Sequence, residues 1–453
     1  VGTVLGQAAT REIAGRISRN DAAGAASVAA TAWTLCAAAS LALGVSFALI
    51  GPWLLTALVD AGAIEDDSRK LFFIAACGWA AQQGTLVLQG FCAARQDYRT
   101  VAKVGALGAT LTVALTLGCT AAWPTAAGYL LGVSTSFAAL LLVWWITSRR
   151  AKGAQWPRWA VAQHDTRALF NFGKWQSLAQ LAGTVSGQID RYLLAGMAPA
   201  VVIGQYNAAN RLQEAVYAGV MKAGEVLFPH FGATAHHDAP TRARFFVLAS
   251  WVVMSFGAIV LAPLIVLADP FLRLWAGAEV ANGGAAMLQL LVLGGLIGCG
   301  SNVFTYHVMG RGNAAILAGI SLVYSVLTIV FSLVVLNIYG PIAAGGGLAI
   351  ASVARVGFAL WMVKRHEFPG MPVPALLVSS VLPLAAGAAV AGAALVSGWP
   401  LPQHWLTLLA AYAAYSVVTM LVVLGATSTM RAGRDILSSL LTAGRRGSHG
   451  GHA

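Results

Sequence analysis

Eight charged side chains interrupt stretches that are otherwise apolar enough to cross a membrane, and seven of the eight sit close together in the chain. They are Lys174, Asp190, Arg191, Arg211, Glu214, Lys222 and Glu225; the eighth is Arg355. Two chemistries suit such a set. Basic groups withdrawn from bulk water bind anions, phosphates above all. Acidic groups in the same setting take up and release a small cation. The candidate substrate-binding residues are therefore Lys174, Arg191, Arg211, Lys222 and Arg355, and the candidate coupling-ion residues, for a proton or a sodium ion, are Asp190, Glu214 and Glu225.

Spacing shows how helices would present these groups. Positions 211, 214, 218, 222 and 225 follow i+3 and i+4 steps, so both basic residues and both acids of that run share one helical stripe. Lys174, Ser177, Thr184, Gln188 and Arg191 form a comparable stripe on the preceding helix. Asp190 and Arg191 are neighbours, hence about 100° apart around a helix, and cannot pair with each other. Each needs a partner elsewhere, or water. Two readings stand side by side. In one, Arg211–Glu214 and Lys222–Glu225 are neutral pairs that tie the hairpin together, while Asp190 and Arg191 reach the nearby outer interface. In the other, the stripes form a polar cavity wall of net positive potential. Lys174, Lys222 and Arg355 each fall roughly 9–12 Å inside the same end of their spans, at about 1.5 Å per residue. Arg355 has no acidic residue in its own span.

The elements that must position these groups are transmembrane helices. Of 453 residues, 58% are hydrophobic and only 10% charged, with a mean hydropathy of +0.73; soluble domains carry about 25% charged residues. Apolar runs long enough to cross a hydrocarbon core recur along the chain, without the period-2 alternation of a membrane barrel. Twelve complete spans are read at 28–57, 71–93, 102–122, 125–148, 168–196, 201–230, 245–268, 285–309, 313–337, 342–363, 375–398 and 404–426. If the segment before the first span is cytoplasmic, 20 of the 28 lysines and arginines fall in cytoplasmic segments. Only Arg69, Lys70 and Arg273 fall outside, where the acidic run Glu65, Asp66, Asp67 also lies. That asymmetry places the C-terminus in the cytoplasm of a cell whose inner membrane holds the protein. The net charge of +12 is thereby accounted for without a nucleic-acid partner.

A shift of 216 residues lays Arg95 on Arg311, Ser136 on Ser352, Trp145 on Trp361 and Arg149 on Arg365. Six spans separate equivalent positions, so the two copies point the same way, an arrangement that places a transport cavity between two bundles. The fold class expected is thus an all-α polytopic membrane protein: two parallel-repeat six-helix bundles around a central cavity, plus a C-terminal helical hairpin. The repeat also leaves roughly 50 residues without a counterpart before Val1, so the expectation is a truncated version of a 14-span protein. The expected divisions are an N-terminal bundle at 1–150, a cytoplasmic linker at 151–167, a C-terminal bundle at 168–365, the extra hairpin at 374–426 and a cytoplasmic tail at 427–453.

The segment from Leu169 to Gly232 resembles the polysaccharide flippases, the Wzx-type members of the multidrug/oligosaccharidyl-lipid/polysaccharide (MOP) superfamily. The resemblance rests on "FGKW", "QIDRYLLAG", "IGQYNAANRL" and "LFPHF". It implies transfer of an undecaprenyl-pyrophosphate-linked oligosaccharide from the inner to the outer leaflet by alternating access, for surface polysaccharide synthesis. It also suggests a polysaccharide polymerase and a chain-length regulator as partners, besides the membrane lipids. A lipid-linked peptidoglycan-precursor flippase and a cation-coupled multidrug exporter are alternatives within the superfamily, although an exporter of cationic drugs calls for an acid-dominated cavity. A membrane glycan polymerase or glycosyltransferase is the alternative from another class. No P-loop, HExxH or GxSxG pattern supports catalysis, and the outer loops are too short to hold a domain. No resident cofactor is expected. The cysteines Cys36, Cys77, Cys92, Cys119 and Cys299 lack CxxC spacing and read as packing residues, and the pairs His236–His237 and His449–His452 as solvated. "AAGGGLAI" reads as a place of close helix packing.

Overall fold

A computed structural model describes residues 1–58, 68–150, 159–225, 227, 231, 238–310, 314–398 and 402–439. Glu65, Asp66, Asp67, Arg311, the two histidine pairs and the side chain of Glu225 lie outside the described residues. Among those described, all regular structure is helical. In chain order the helices are α1 (Gly2–Ile17), α2 (Ala22–Leu58), α3 (Ser68–Ala94), α4 (Tyr98–Ala122), α5 (Ala126–Arg150), α6 (Gln163–Met197), α7 (Ala200–Glu225) and α8 (Ala239–Val266). They continue as α9 (Ala268–Ala276), α10 (Ala278–Gly298), α11 (Asn302–Gly310), α12 (Ala314–Tyr339), α13 (Gly346–Met362), α14 (Val373–Ser380), α15 (Leu382–Ser397) and α16 (Trp405–Thr429).

Nine helical stretches among the described residues are long and apolar enough to span a membrane, and a tenth span forms if α14 and α15, bent by 43°, count as one. The remaining two of the twelve expected spans are α6 and α7. They are helices of full spanning length, 35 and 26 residues, whose charged groups lower their hydropathy. The protein is an all-α polytopic membrane protein. The internal repeat shows in the helix boundaries: moving Tyr98 by 216 positions gives Ala314, where α12 begins, and moving Ala126 gives Ile342, at the start of the apolar stretch Pro341–Glu367.

The chain divides into two compact units, Val1–Ser177 and Leu178–Ala453, the boundary falling within α6. In the first, α3 packs on α1, α2 and α5. Glycine permits a close approach of α1 to α3: a Cβ on Gly2 would lie 2.4 Å from the Gln83 carbonyl oxygen. The Gly2 N–H donates to Gln83 Oε1 at 2.8 Å, and Ala8, Ala9, Ile13, Val87 and Leu88 close the core beneath. Asp165, buried at the start of α6, accepts from Arg16 and from Ser27.

In the second unit α8 is the hub, lined by Met254, Leu261 and Leu264. The extra hairpin is fastened to it by Tyr412 donating to the Val260 carbonyl, Ser416 to that of Ile259 at 3.1 Å, and Trp251 Nε1 to Thr427 Oγ1 at 3.1 Å. The glycine run packs as expected. Gly345 has a φ of +94°, and a Cβ on Gly347 would sit 2.3 Å from the Ser332 backbone nitrogen, so α13 and α12 touch backbone to backbone. One element departs from the sequence reading. Residues 269–284 read as an outer loop, yet α9 and the start of α10 occupy them. Asp269 and Arg273 hold α9 together through two hydrogen bonds one turn apart, at 3.0 and 2.8 Å.

Candidate functional site

The α6–α7 hairpin sorts its charges by face. On α6 within the second unit, Ala182, Ser186, Asp190 and Leu194 form the buried side, at i+4 steps. Ser325 of α12 donates to the Ala182 carbonyl at 2.9 Å, docking that side. Asp190, 5% exposed, accepts from the Gly345 backbone N–H at 2.9 Å through Oδ2. Its carboxylate thereby meets the positive end of α13, while Tyr206 and Ser332 supply nearby hydroxyls. Asp190 thus points into the protein and not toward an outer interface.

Arg191, turned away from that face, donates to Gln188 Oε1 at 2.6 Å and reaches Glu214 of α7 at 3.7 Å. Glu214 also accepts from Asn210 at 2.7 Å and stands 4.0 Å from Arg211, whose side chain is 73% exposed. The expected local Arg211–Glu214 pair exists at the limit of ion pairing; the cross-helix Arg191–Glu214 pair is the shorter. On α7, Arg211, Glu214, Ala218 and Lys222 are exposed while Leu212, Gln213 and Val220 are buried, so the predicted stripe faces away from the core of its unit.

Arg355 occupies a second cluster. Its guanidinium carbon lies 4.8 Å from the Tyr324 ring centroid, a cation–π distance, and Nη2 is 3.5 Å from Thr305 Oγ1. Tyr324 in turn bonds Ser352 at 3.3 Å, and Tyr217 bonds Asn302 close by in sequence to Thr305. Among the described residues no carboxylate lies within ion-pair distance of Arg355. A guanidinium held by a ring and a hydroxyl, with no acid beside it among the described residues, can donate to a phosphate. Tyr217, Asn302, Thr305 and Tyr324 escaped the sequence reading, since isolated tyrosines and threonines in spans carry no spacing signal. Lys174 belongs to the first unit, where its ammonium lies 5.7 Å from the Trp175 ring. Among the described residues, no three His, Cys, Asp or Glu side chains are grouped to hold a metal ion.

Solved structures share this fold. A lipid II flippase, MurJ, in an inward closed conformation aligns over 96% of this chain and 90% of its own, with a TM-score of 0.68 at 14% identity. A MOP superfamily transporter from Pyrococcus furiosus aligns over 80% and 84%, with a TM-score of 0.66 at 14% identity. A multidrug resistance MATE family transporter of the MOP superfamily aligns over 80% and 83%, with a TM-score of 0.64 at 14% identity. The class is therefore a multi-pass membrane protein with the MOP transporter fold. Residues 24–235 match the polysaccharide biosynthesis protein family, and this match supports the resemblance to polysaccharide flippases carried by the hairpin. No curated protein sequence matches the chain.

Proposed function

We propose that this flippase carries a polyprenyl-pyrophosphate-linked oligosaccharide from the cytoplasmic to the outer leaflet of a bacterial inner membrane, with its arginine-rich loops and C-terminus in the cytoplasm. The observation that carries the reading is Arg355, a basic group within a span that lacks an acidic partner among the described residues. Removing a pyrophosphate from water strongly opposes crossing, and charge-assisted hydrogen bonds from fixed guanidinium groups offset that cost. Arg191, Arg211 and Lys222 extend the basic character within the second unit, and Lys174 is a candidate substrate contact in the first. The polyprenyl tail stays in lipid while the protein alternates its access. Asp190, Glu214 and Glu225 are the groups through which a proton or sodium ion would drive the cycle. Of these, Glu214 is the more accessible and Asp190 the more enclosed. A polymerase and a chain-length regulator would act on the delivered glycan. The test is purified protein in vesicles with a labelled lipid-linked oligosaccharide. A change in the sidedness of intact substrate supports the reading; a change in glycan length with no change in sidedness overturns it in favour of a polymerase.

A further inference from the structure

Apart from the charged hairpin, an open cleft of about 990 Å³ lies in the second unit where the stretches Ala239–Val266, Pro341–Glu367 and Trp405–Thr429 reach their ends. Ala243, Val247 and Leu248 of α8, Phe368 and Met371 of the turn after α13, and Ile436 of the helical segment 431–439 give it apolar walls. The turn is held in place. Lys364 Nζ donates to the Pro369 carbonyl at 3.0 Å and to that of Met371 at 2.7 Å. Glu367 is turned to His307, Oε2 to Nε2 at 3.0 Å, both nearly buried among the rings of Phe231, Phe246 and Phe368.

Two arginines complete the lining. Arg244 donates to Ser439 Oγ at 2.8 Å, and neither Arg244 nor Arg431 has a carboxylate within ion-pair distance among the described residues. With Glu367 engaged by His307, these two guanidinium groups outnumber the one other acid, Asp435. An apolar cleft that ends on two such groups, at the level where spans leave the membrane, matches a molecule with a hydrocarbon chain and an anionic head. On the arginine-rich side of the bilayer that molecule is abundant.

We propose that the cleft holds one anionic phospholipid of the cytoplasmic leaflet, its phosphate on Arg244 and Arg431 and an acyl chain along Val247, Leu248 and Ile436. The site rests on the membrane orientation proposed above but not on the transported substrate. Native mass spectrometry of the purified protein, given phosphatidylglycerol and phosphatidylcholine in turn, tests it. The expected result is several-fold greater retention of phosphatidylglycerol, reduced to the phosphatidylcholine level by Arg244→Gln with Arg431→Gln and unchanged by Arg99→Gln, an exposed arginine in the first unit. Ala243→Trp, which narrows the cleft at its apolar wall and keeps both arginines, should also lower the retention; helical circular dichroism and a single gel-filtration peak confirm folding of whichever variant is read. Equal retention of the two lipids, an equal loss in Arg99→Gln, or full retention in folded Ala243→Trp overturns the proposal.

Discussion

Asp190 and Gly345, 155 residues apart, are joined by a 2.9 Å hydrogen bond from the glycine N–H to a carboxylate oxygen. The bond ties the charged hairpin to the start of α13, the helix that carries Arg355. It also separates two roles for Asp190. Asp190→Asn keeps an acceptor for Gly345, whereas Asp190→Ala leaves a buried N–H unsatisfied, at a cost of about 1–3 kcal/mol. Thermal unfolding in detergent should therefore show a clear drop for the alanine variant and a smaller one for asparagine. If Asp190 also takes up the coupling ion, the asparagine variant stays folded and loses transport; a folded, fully active Asp190→Asn assigns it to packing alone.

The Arg191–Glu214 pair is partly exposed, so its contribution to stability is small, about 0.2–1 kcal/mol. Arg191→Gln and Glu214→Gln should each leave the melting temperature within a few degrees of the parent. The exchange Arg191→Glu with Glu214→Arg should recover transport lost in either single reversal if the pair itself is required. Vesicle transport assays on all of these give the comparison.

Gly347 and Gly357 lie ten residues apart in sequence, and their surroundings differ. A Cβ on Gly347 would clash with the Ser332 backbone, while one on Gly357 would meet nothing within 4 Å. Gly347→Ala should cost about 1–3 kcal/mol through forced separation of α12 and α13, and Gly357→Ala should be neutral or slightly stabilising. Detergent melting curves read both.

Orientation is tested by chemistry at two exposed positions. In a background without the native cysteines, Ala276→Cys at the end of α9 should react with a membrane-impermeant maleimide in intact cells, and Arg99→Cys only after permeabilisation. The reverse pattern would invert the proposed orientation.

Helical periodicity made the polar stripe of α7 legible, because i+3 and i+4 steps fix which residues share a face whatever the helix packs against. The same logic separated Asp190 from Arg191. What those two side chains meet was not legible: Gly345 and Glu214 are chosen by the register of one helix against another, and sequence spacing carries no record of that register. Arg355 stood out as a charge in an apolar run, while Tyr324 and Thr305, which hold it, did not. The nine-residue α9 was read as loop because it is too short for a span, although Asp269 and Arg273 at i,i+4 were its visible trace.

The proposed function requires Arg355 to engage the pyrophosphate of the substrate. The most direct measurement is binding of a water-soluble short-chain polyprenyl-pyrophosphate sugar to purified protein carrying Arg355→Gln or Arg355→Lys. Loss of a charge-assisted contact worth about 1.5–3 kcal/mol corresponds to affinity weakened roughly 10- to 150-fold in Arg355→Gln, with partial recovery in Arg355→Lys. Affinity unchanged in both folded variants would contradict it.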